Sequence, residues 1–430
     1  MKLRSIVFFY TLLLAFSHLC YGKKTGLSDS PPPSESTDPC SPNLFVNTVL
    51  KRHLATRNFA RMTKSYFDRC GETLRARNSS HDENINEIFR PSESPSSEPG
   101  VIRVGETTIR NFILKMPNGM MIKGLIALKD QKRRPWIIAK CGVFCTVTAA
   151  TSRSGHMLEI FNGLPFNIIF VSNRTAMDFI ESNHRFDLGG YFEAEDLIYI
   201  SQWLIHSSPY INIVDSIHLL GFSLGGAAAV FANNFISRGY VDMETRQYIK
   251  SVTALCPVTN LQPSLNFLFS NGIRGSVARN FTWQHLQKGR PFLSFVEPLL
   301  NINPVPWQKR FATLIGEMGM YFGKRQVNTL GKLPNPQNME EYWKFNNYLA
   351  MARNVELPLF VWAGDDDNVV PTDQNAKVLE NSVLAMHSPE LGVTTLPTGG
   401  HCAFGGEYGH NVVISVLKAF ILNNSPHSQY

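Results

Sequence analysis

The stretch Ser216-Ile217-His218-Leu219-Leu220-Gly221-Phe222-Ser223-Leu224-Gly225-Gly226 decides how this chain is read. An apolar run ends in Gly-x-Ser-x-Gly, and the small residues Ala227, Ala228 and Ala229 follow at once. That order predicts a strand, a tight turn and a helix, with the serine hydroxyl held above the sheet edge on a strained backbone. Glycines at 221 and 225 leave room where a Cβ would collide with neighbouring backbone. The N–H of Leu224 would then sit at a helix N-terminus, where negative charge developing on an oxygen is stabilised. Ser223 is therefore the candidate nucleophile.

A serine nucleophile needs a base, and the base needs an orienting acid. For a strand–turn–helix nucleophile the partners follow in the chain order serine, acid, histidine. After an apolar strand pattern at 357–362 comes Gly364-Asp365-Asp366-Asp367-Asn368-Val369-Val370-Pro371. Asp367 is the chosen acid, with Asp365 and Asp366 in reserve. After the last strand pattern comes Thr398-Gly399-Gly400-His401-Cys402-Ala403-Phe404, and the paired glycines let the loop bring His401 over the serine. Of the 12 histidines, His401 alone follows a terminal strand on such a loop; His218 reads as core and His410 as a capping or surface residue. A second oxyanion donor is expected from Lys140-Cys141-Gly142-Val143-Phe144, with Val143 N–H as partner to Leu224 N–H.

Around these motifs, strand patterns at 107–115, 120–128, 136–139, 166–171, 216–220, 251–255, 357–362 and 393–396 alternate with helical ones at 195–204, 226–236, 373–379 and 412–422. Such alternation indicates an α/β fold with a mainly parallel sheet and helices on both faces. Between 260 and 356 the alternation stops, and an inserted helical cap is expected. It is rich in Phe267, Phe269, Phe281, Trp283, Phe292, Phe295, Trp307, Phe311, Met318, Met320 and Phe322, more than a thin helical insert needs, which favours a hydrophobic acyl substrate. The core is accordingly divided into 100–259 and 357–430.

The chain is 430 residues long and 43% hydrophobic, enough for one large domain with extras. Residues 1–22 read as a signal peptide, with Lys2 and Arg4 before an apolar run and small residues at Cys20 and Gly22. Secretion or delivery to a periplasm is expected, the alternative being an uncleaved membrane anchor. Residues 23–99 comprise a Pro/Ser-rich leader, a small helical segment at 41–70, expected to form a helical hairpin packed on the main domain, and a linker at 77–99. Export admits disulfides, and the mature chain would keep Cys40, Cys70, Cys141, Cys145, Cys256 and Cys402, with Cys40–Cys70 the favoured pair. Asn78, Asn173, Asn280 and Asn423 begin glycosylation sequons that would matter in a eukaryotic host. The formal net charge of +7 is spread in short clusters without interleaved aromatics, which excludes a nucleic-acid partner and leaves mild attraction to anionic membrane surfaces. No Cys/His grouping has zinc-ligand spacing, and the chemistry implies neither metal nor organic cofactor.

The elbow Gly221-Phe-Ser-Leu-Gly-Gly, the Gly-Gly-His401-x-x-Phe404 loop and the Gly364–Pro371 acid loop resemble the α/β-hydrolase superfamily. With Glu341-Tyr342-Trp343 before the acid strand and Asp196 opening the helix before the nucleophile strand, the chain is similar to its YheT-type esterase/lipase group over roughly residues 100–425. The resemblance implies a serine hydrolase acting on carboxylic esters through an acyl-enzyme. Two departures stand out: Cys141-Gly142 where the family usually has His-Gly, and Asn173-Arg174-Thr175-Ala176 where it often has an Arg-Gly turn. Rival readings are a peptidase or amide hydrolase on the same fold and a non-catalytic binder on a hydrolase scaffold.

Overall fold

Uninterrupted apolar runs such as Trp136-Ile137-Ile138-Ala139 suit strands buried on both faces, and that is where they lie. The structure, a computed structural model, describes residues 38–80, 101–104, 107–147, 163–293, 311–326, 330 and 333–426. Nine strands form one sheet: β1 (Val101–Val104), β2 (Thr107–Lys115), β3 (Met121–Leu128), β4 (Arg134–Lys140), β5 (Asn167–Val171), β6 (Val214–Phe222), β7 (Ile249–Leu255), β8 (Leu359–Gly364) and β9 (Leu391–Leu396). The spatial order is β1-β2-β3-β5-β4-β6-β7-β8-β9. β1, β2 and β3 pair antiparallel, β3 pairs antiparallel with β5, and every later pairing is parallel. The principal helices are α1 (Pro42–Arg52), α2 (Thr56–Ser80), α3 (Met177–Asn183), α4 (Gly190–His206), α5 (Leu224–Ser237), α6 (Leu261–Leu268), α7 (Ile273–Gly289), α8 (Phe311–Lys324), α9 (Met339–Phe345) and α10 (His410–Asn423). An antiparallel opening, a β5–β4 crossover and a tight turn at Ser223 between β6 and α5 make this the α/β-hydrolase fold.

Two apolar layers cover the sheet. One joins α4, α5 and the cap helices to one face. The other joins α1, α2 and α10 to the opposite face. The helical segment ahead of residue 100 is thus part of the domain's own second layer. Phe59 meets Phe360 and Phe420 with ring centroids 5.0 Å apart in both cases, and Phe67 lies 5.5 Å from Trp362. α2 also runs to Ser80, so residues 77–80 are helix where a linker was expected, while 81–100 lie outside the described residues.

The signal-peptide reading also falls on residues outside those described. Among the described residues no helix is long and apolar enough to cross a membrane. All six cysteines of the described chain are paired: Cys40–Cys70, Cys141–Cys145 and Cys256–Cys402, with Cα–Cα distances of 5.4, 5.9 and 5.5 Å. The Asn173 sequon is closed by the fold, because its amide is fully buried and donates to Cys141 O and Glu193 Oε2.

Among the described residues the insert between β7 and β8 is helical, and α7 reaches the loops after β4 and β5. His285 Nε2 donates to Thr175 O at 2.8 Å, and the His285 ring lies 4.2 Å from that of Phe144. Several of the insert's apolar side chains build the cap itself: Phe269, Phe311, Phe322 and Met318 are buried, the first two in edge contact at 4.8 Å. Phe281 is 38% exposed and lies 5.9 Å from Phe144 of the loop after β4. Phe295 and Trp307 lie outside the described residues.

Candidate active site

The turn that carries the candidate nucleophile Ser223 is set by steric necessity. A Cβ on Gly221 would stand 2.0 Å from Gly225 O, and one on Gly225 would stand 2.3 Å from Lys140 O. Only glycine lets β6 and α5 approach so closely. The turn leaves Ser223 at φ 55, ψ −118, a costly conformation for a residue with a side chain. It persists because both backbone groups are tied down: Ser223 N donates to Leu255 O at 2.9 Å, and Ser223 O accepts from Ala227 N at 3.0 Å.

The structure brings Ser223, His401 and Asp367 together. His401 Nε2 lies 2.8 Å from Ser223 Oγ, and His401 Nδ1 lies 2.8 Å from Asp367 Oδ2. The Asp367 side chain is 1% exposed, and its other oxygen accepts from Val369 N and Val370 N, each at 2.8 Å. A carboxylate so held keeps its second oxygen aimed at the imidazole, which fixes the tautomer with a free lone pair toward the serine. The neighbouring aspartates have other tasks. Asp366 Oδ1 accepts from Gly400 N at 2.8 Å, which anchors the histidine loop. Asp365 pairs with Lys377 at 3.0 Å on the surface.

His218, read as core, is buried inside β6 between Ser216 Oγ at 3.0 Å and Ser251 Oγ at 2.7 Å, and burial pulls its pKa down to about 3. It takes no part in the relay. Nor does the grouping of Cys256, His401 and Cys402 offer a metal site, since both sulfurs are spent in a disulfide and the imidazole faces Asp367 and Ser223.

Beside the serine lies the loop after β4. A Cβ on Gly142 would meet Ser223 Cβ at 3.1 Å, so the loop backbone approaches that serine directly. Within it Cys141 N donates to Val171 O, Phe144 N to Thr175 Oγ1, Cys145 N to Gly142 O and Val147 N to Ser172 Oγ. Val143 N and Leu224 N, the expected oxyanion pair, have no acceptor among the described residues, and neither does Gly142 N. Unspent donors beside a nucleophile are what an oxyanion requires.

Sequence reasoning missed what lies beneath this loop. Lys140 at the end of β4 is wholly buried, with Nζ 2.5 Å from Asp196 Oδ2 and 3.3 Å from Glu193 Oε2. Arg174, also wholly buried, pairs with Asp196 at 2.6 Å, Asp187 at 3.1 Å and Glu195 at 3.5 Å. Four acids thus surround two cations. Burial pushes the Glu193 carboxyl up to about 7. Burial opposes ionisation of Asp196 too, yet Arg174 and Lys140 outweigh it and hold that carboxyl below its usual range. Glu195 carries the network into the cap through Gln326 Nε2 and Leu330 N. The hints in sequence are the family match at Asp196, the departure around Arg174, and Glu193-Ala-Glu195-Asp196 set among aromatic and aliphatic residues. A surface depression of about 540 Å³ beside Arg353, Val383 and His387 includes none of the triad residues and is unrelated to this chemistry.

No family model matches the chain, and no curated protein matches it. Among solved structures it is similar to a putative hydrolase from Legionella pneumophila, with 14% identity, TM-score 0.47, and coverage of 72% of this chain and 87% of that one. It is similar also to an esterase from Pyrococcus furiosus, with 15% identity, TM-score 0.42, and coverage of 73% and 93%. An acylaminoacyl peptidase from Pyrococcus horikoshii gives 17% identity, TM-score 0.44, and coverage of 75% of this chain but 42% of that one. At such distances these likenesses say nothing about what this chain acts on.

Proposed function

We propose that this protein is an exported serine hydrolase that cleaves carboxylic esters. One observation carries the reading: the relay from Asp367 through His401 to Ser223, at 2.8 Å for both links, beside unspent N–H donors at Val143 and Leu224. Ser223 Oγ attacks the ester carbonyl as His401 Nε2 takes its proton. The tetrahedral oxyanion is held by Val143 N–H and Leu224 N–H. His401 returns the proton to the leaving alcohol, and an acyl-serine remains. Water then attacks the acyl carbonyl as it gives a proton to His401, the acyl–Oγ bond breaks as His401 passes that proton to Ser223 Oγ, and the acid leaves, while Asp367 stabilises the charged imidazole in both steps. The residues that do this need no metal or organic group.

Support for a hydrophobic acyl group comes from the aromatic content of the insert and from Phe144 of the oxyanion loop, whose ring lies 5.9 Å from that of Phe281 on α7. The likeness to the YheT-type group rests on the sequence motifs alone. Export is supported by the N-terminal pattern and by three cysteine pairs, which persist in oxidising compartments. The test is a panel of p-nitrophenyl esters of rising chain length beside aminoacyl amides. Turnover of esters, highest on medium or long chains, is expected; turnover of amides alone would refute the ester assignment.

A further inference from the structure

Phe144 is a non-glycine residue at φ 59, in the middle of the loop that offers Val143 N–H to the site. Left-handed backbone at a phenylalanine is strained and survives only where surrounding contacts over-determine it. The contacts here converge on one side chain. Phe144 N donates to Thr175 Oγ1 at 2.7 Å. The Thr175 hydroxyl donates in turn to Asn173 Oδ1 at 2.6 Å, so its single proton is committed and its lone pair faces Phe144. Asn173 cannot flip, because Nδ2 donates to Cys141 O at 3.2 Å and Glu193 Oε2 at 2.7 Å while Oδ1 also accepts from Thr175 N at 2.9 Å. Asn173 N donates to Cys145 O at 3.1 Å. Both ends of the loop and its centre are therefore fastened to Asn173 and Thr175, which are fully buried. The Thr175 carbonyl also accepts from His285 of the cap, so this residue joins oxyanion loop to cap.

We infer that Thr175 is a positioning residue for the oxyanion hole: its hydroxyl holds the Phe144 peptide in the orientation that turns Val143 N–H toward Ser223. This rests on the serine-hydrolase reading above and adds to it the part that aligns the hole. The Phe144 N–H and the Val143 C=O belong to one peptide plane. Without an acceptor for that N–H, the plane is free to rotate and relieve the strained φ, and the adjoining Val143 N–H turns with it. Removing an oxyanion donor outright costs about 10²–10³ in kcat. Misaligning one should cost less, on the order of 10- to 100-fold, and the cost should fall on kcat because the oxyanion exists only after attack.

The test uses the full chain and three substitutions. Thr175→Val keeps the shape and removes the hydroxyl, Thr175→Ser keeps the hydroxyl, and Thr175→Ala repeats the deletion without bulk should the valine variant not fold. Steady-state kinetics on a short p-nitrophenyl ester are measured with the affinity for an alkyl boronic acid, whose serine adduct places an oxygen in the hole. Expected are a 10- to 100-fold lower kcat with KM within about twofold for Thr175→Val or Thr175→Ala, boronate affinity falling in parallel, and near wild-type behaviour for Thr175→Ser. Unchanged kcat in a folded Thr175→Val or Thr175→Ala protein overturns the inference. So does a loss that serine fails to rescue, or one that leaves boronate affinity intact. Wild-type protein that neither hydrolyses esters nor binds the boronate overturns the serine-hydrolase reading as well; an active wild type with an indifferent Thr175 overturns this inference alone.

Discussion

Replacing each of Asp365, Asp366 and Asp367 by asparagine should separate three neighbouring carboxylates by what they touch. In Asp367→Asn the amide oxygen can still accept from Val369 N and Val370 N, which leaves the NH₂ facing His401 Nδ1. That nitrogen must then become an acceptor, which moves the imidazole proton to Nε2, where it points at Ser223 Oγ and cannot receive the hydroxyl proton. Loss of the correct tautomer costs about 10⁴ in kcat in the serine-protease template, equivalent to roughly 5–6 kcal/mol of transition-state stabilisation. In Asp366→Asn the amide oxygen can still accept from Gly400 N, so the histidine loop stays anchored and the expected loss is under about tenfold. Asp365 and Lys377 are about a third exposed, and such a surface pair contributes roughly 0–1 kcal/mol to stability and nothing to the chemistry. The assay is kcat and kcat/KM on a soluble ester, with thermal unfolding to show that each variant is folded. A crippled Asp365→Asn or Asp366→Asn beside an active Asp367→Asn would refute the assignment of the acid.

His218 should make the protein acid-sensitive: it stays neutral in the native state down to about pH 3 but binds a proton when unfolded below about 6.5, so the native state loses stability as pH falls through that window. The slope from this one group is roughly 1.4 kcal/mol per pH unit, and urea unfolding at several pH values should show it reduced in His218→Gln; an identical pH slope in the two proteins would contradict the burial argument. Protein exported by a secreting host should begin at Lys23 by intact mass and show no free thiol after denaturation without reductant, whereas a full-length chain with six or more free thiols would remove both the export and the disulfide reading.

The site was legible where its signal is local in the chain. Gly-x-Ser-x-Gly after an apolar run constrains a handful of consecutive residues, and the clash distances at Gly221 and Gly225 show why no other residue serves. The acid was narrowed to a run of three, because hydrogen bonds from Val369 N and Val370 N, which select Asp367, are a matter of loop shape. Strand and helix positions followed from periodicity to within a few residues, since layers buried on one or both faces leave that imprint. What the sequence concealed is non-local. Asp196 and Arg174 stood out only through the family resemblance, and their pairing with each other and with Lys140 shows only once β4, the loop after β5 and α4 are brought together. The Cys256–Cys402 pair spans 146 positions, and the covering role of α2 depends on contacts with β8, β9 and α10 far along the chain. Thr175 looked unremarkable because its importance lies in one hydroxyl's two partners.

The central claim is that Ser223 is a nucleophile activated by His401. The most direct test is reaction of the folded, full-length protein with a fluorophosphonate probe, followed by peptide mass spectrometry of the adduct and comparison with Ser223→Ala. The account predicts a single covalent adduct on Ser223 in the wild type and none in the alanine variant. Equal labelling of the two proteins, or an adduct on another residue of a folded wild type, would contradict it.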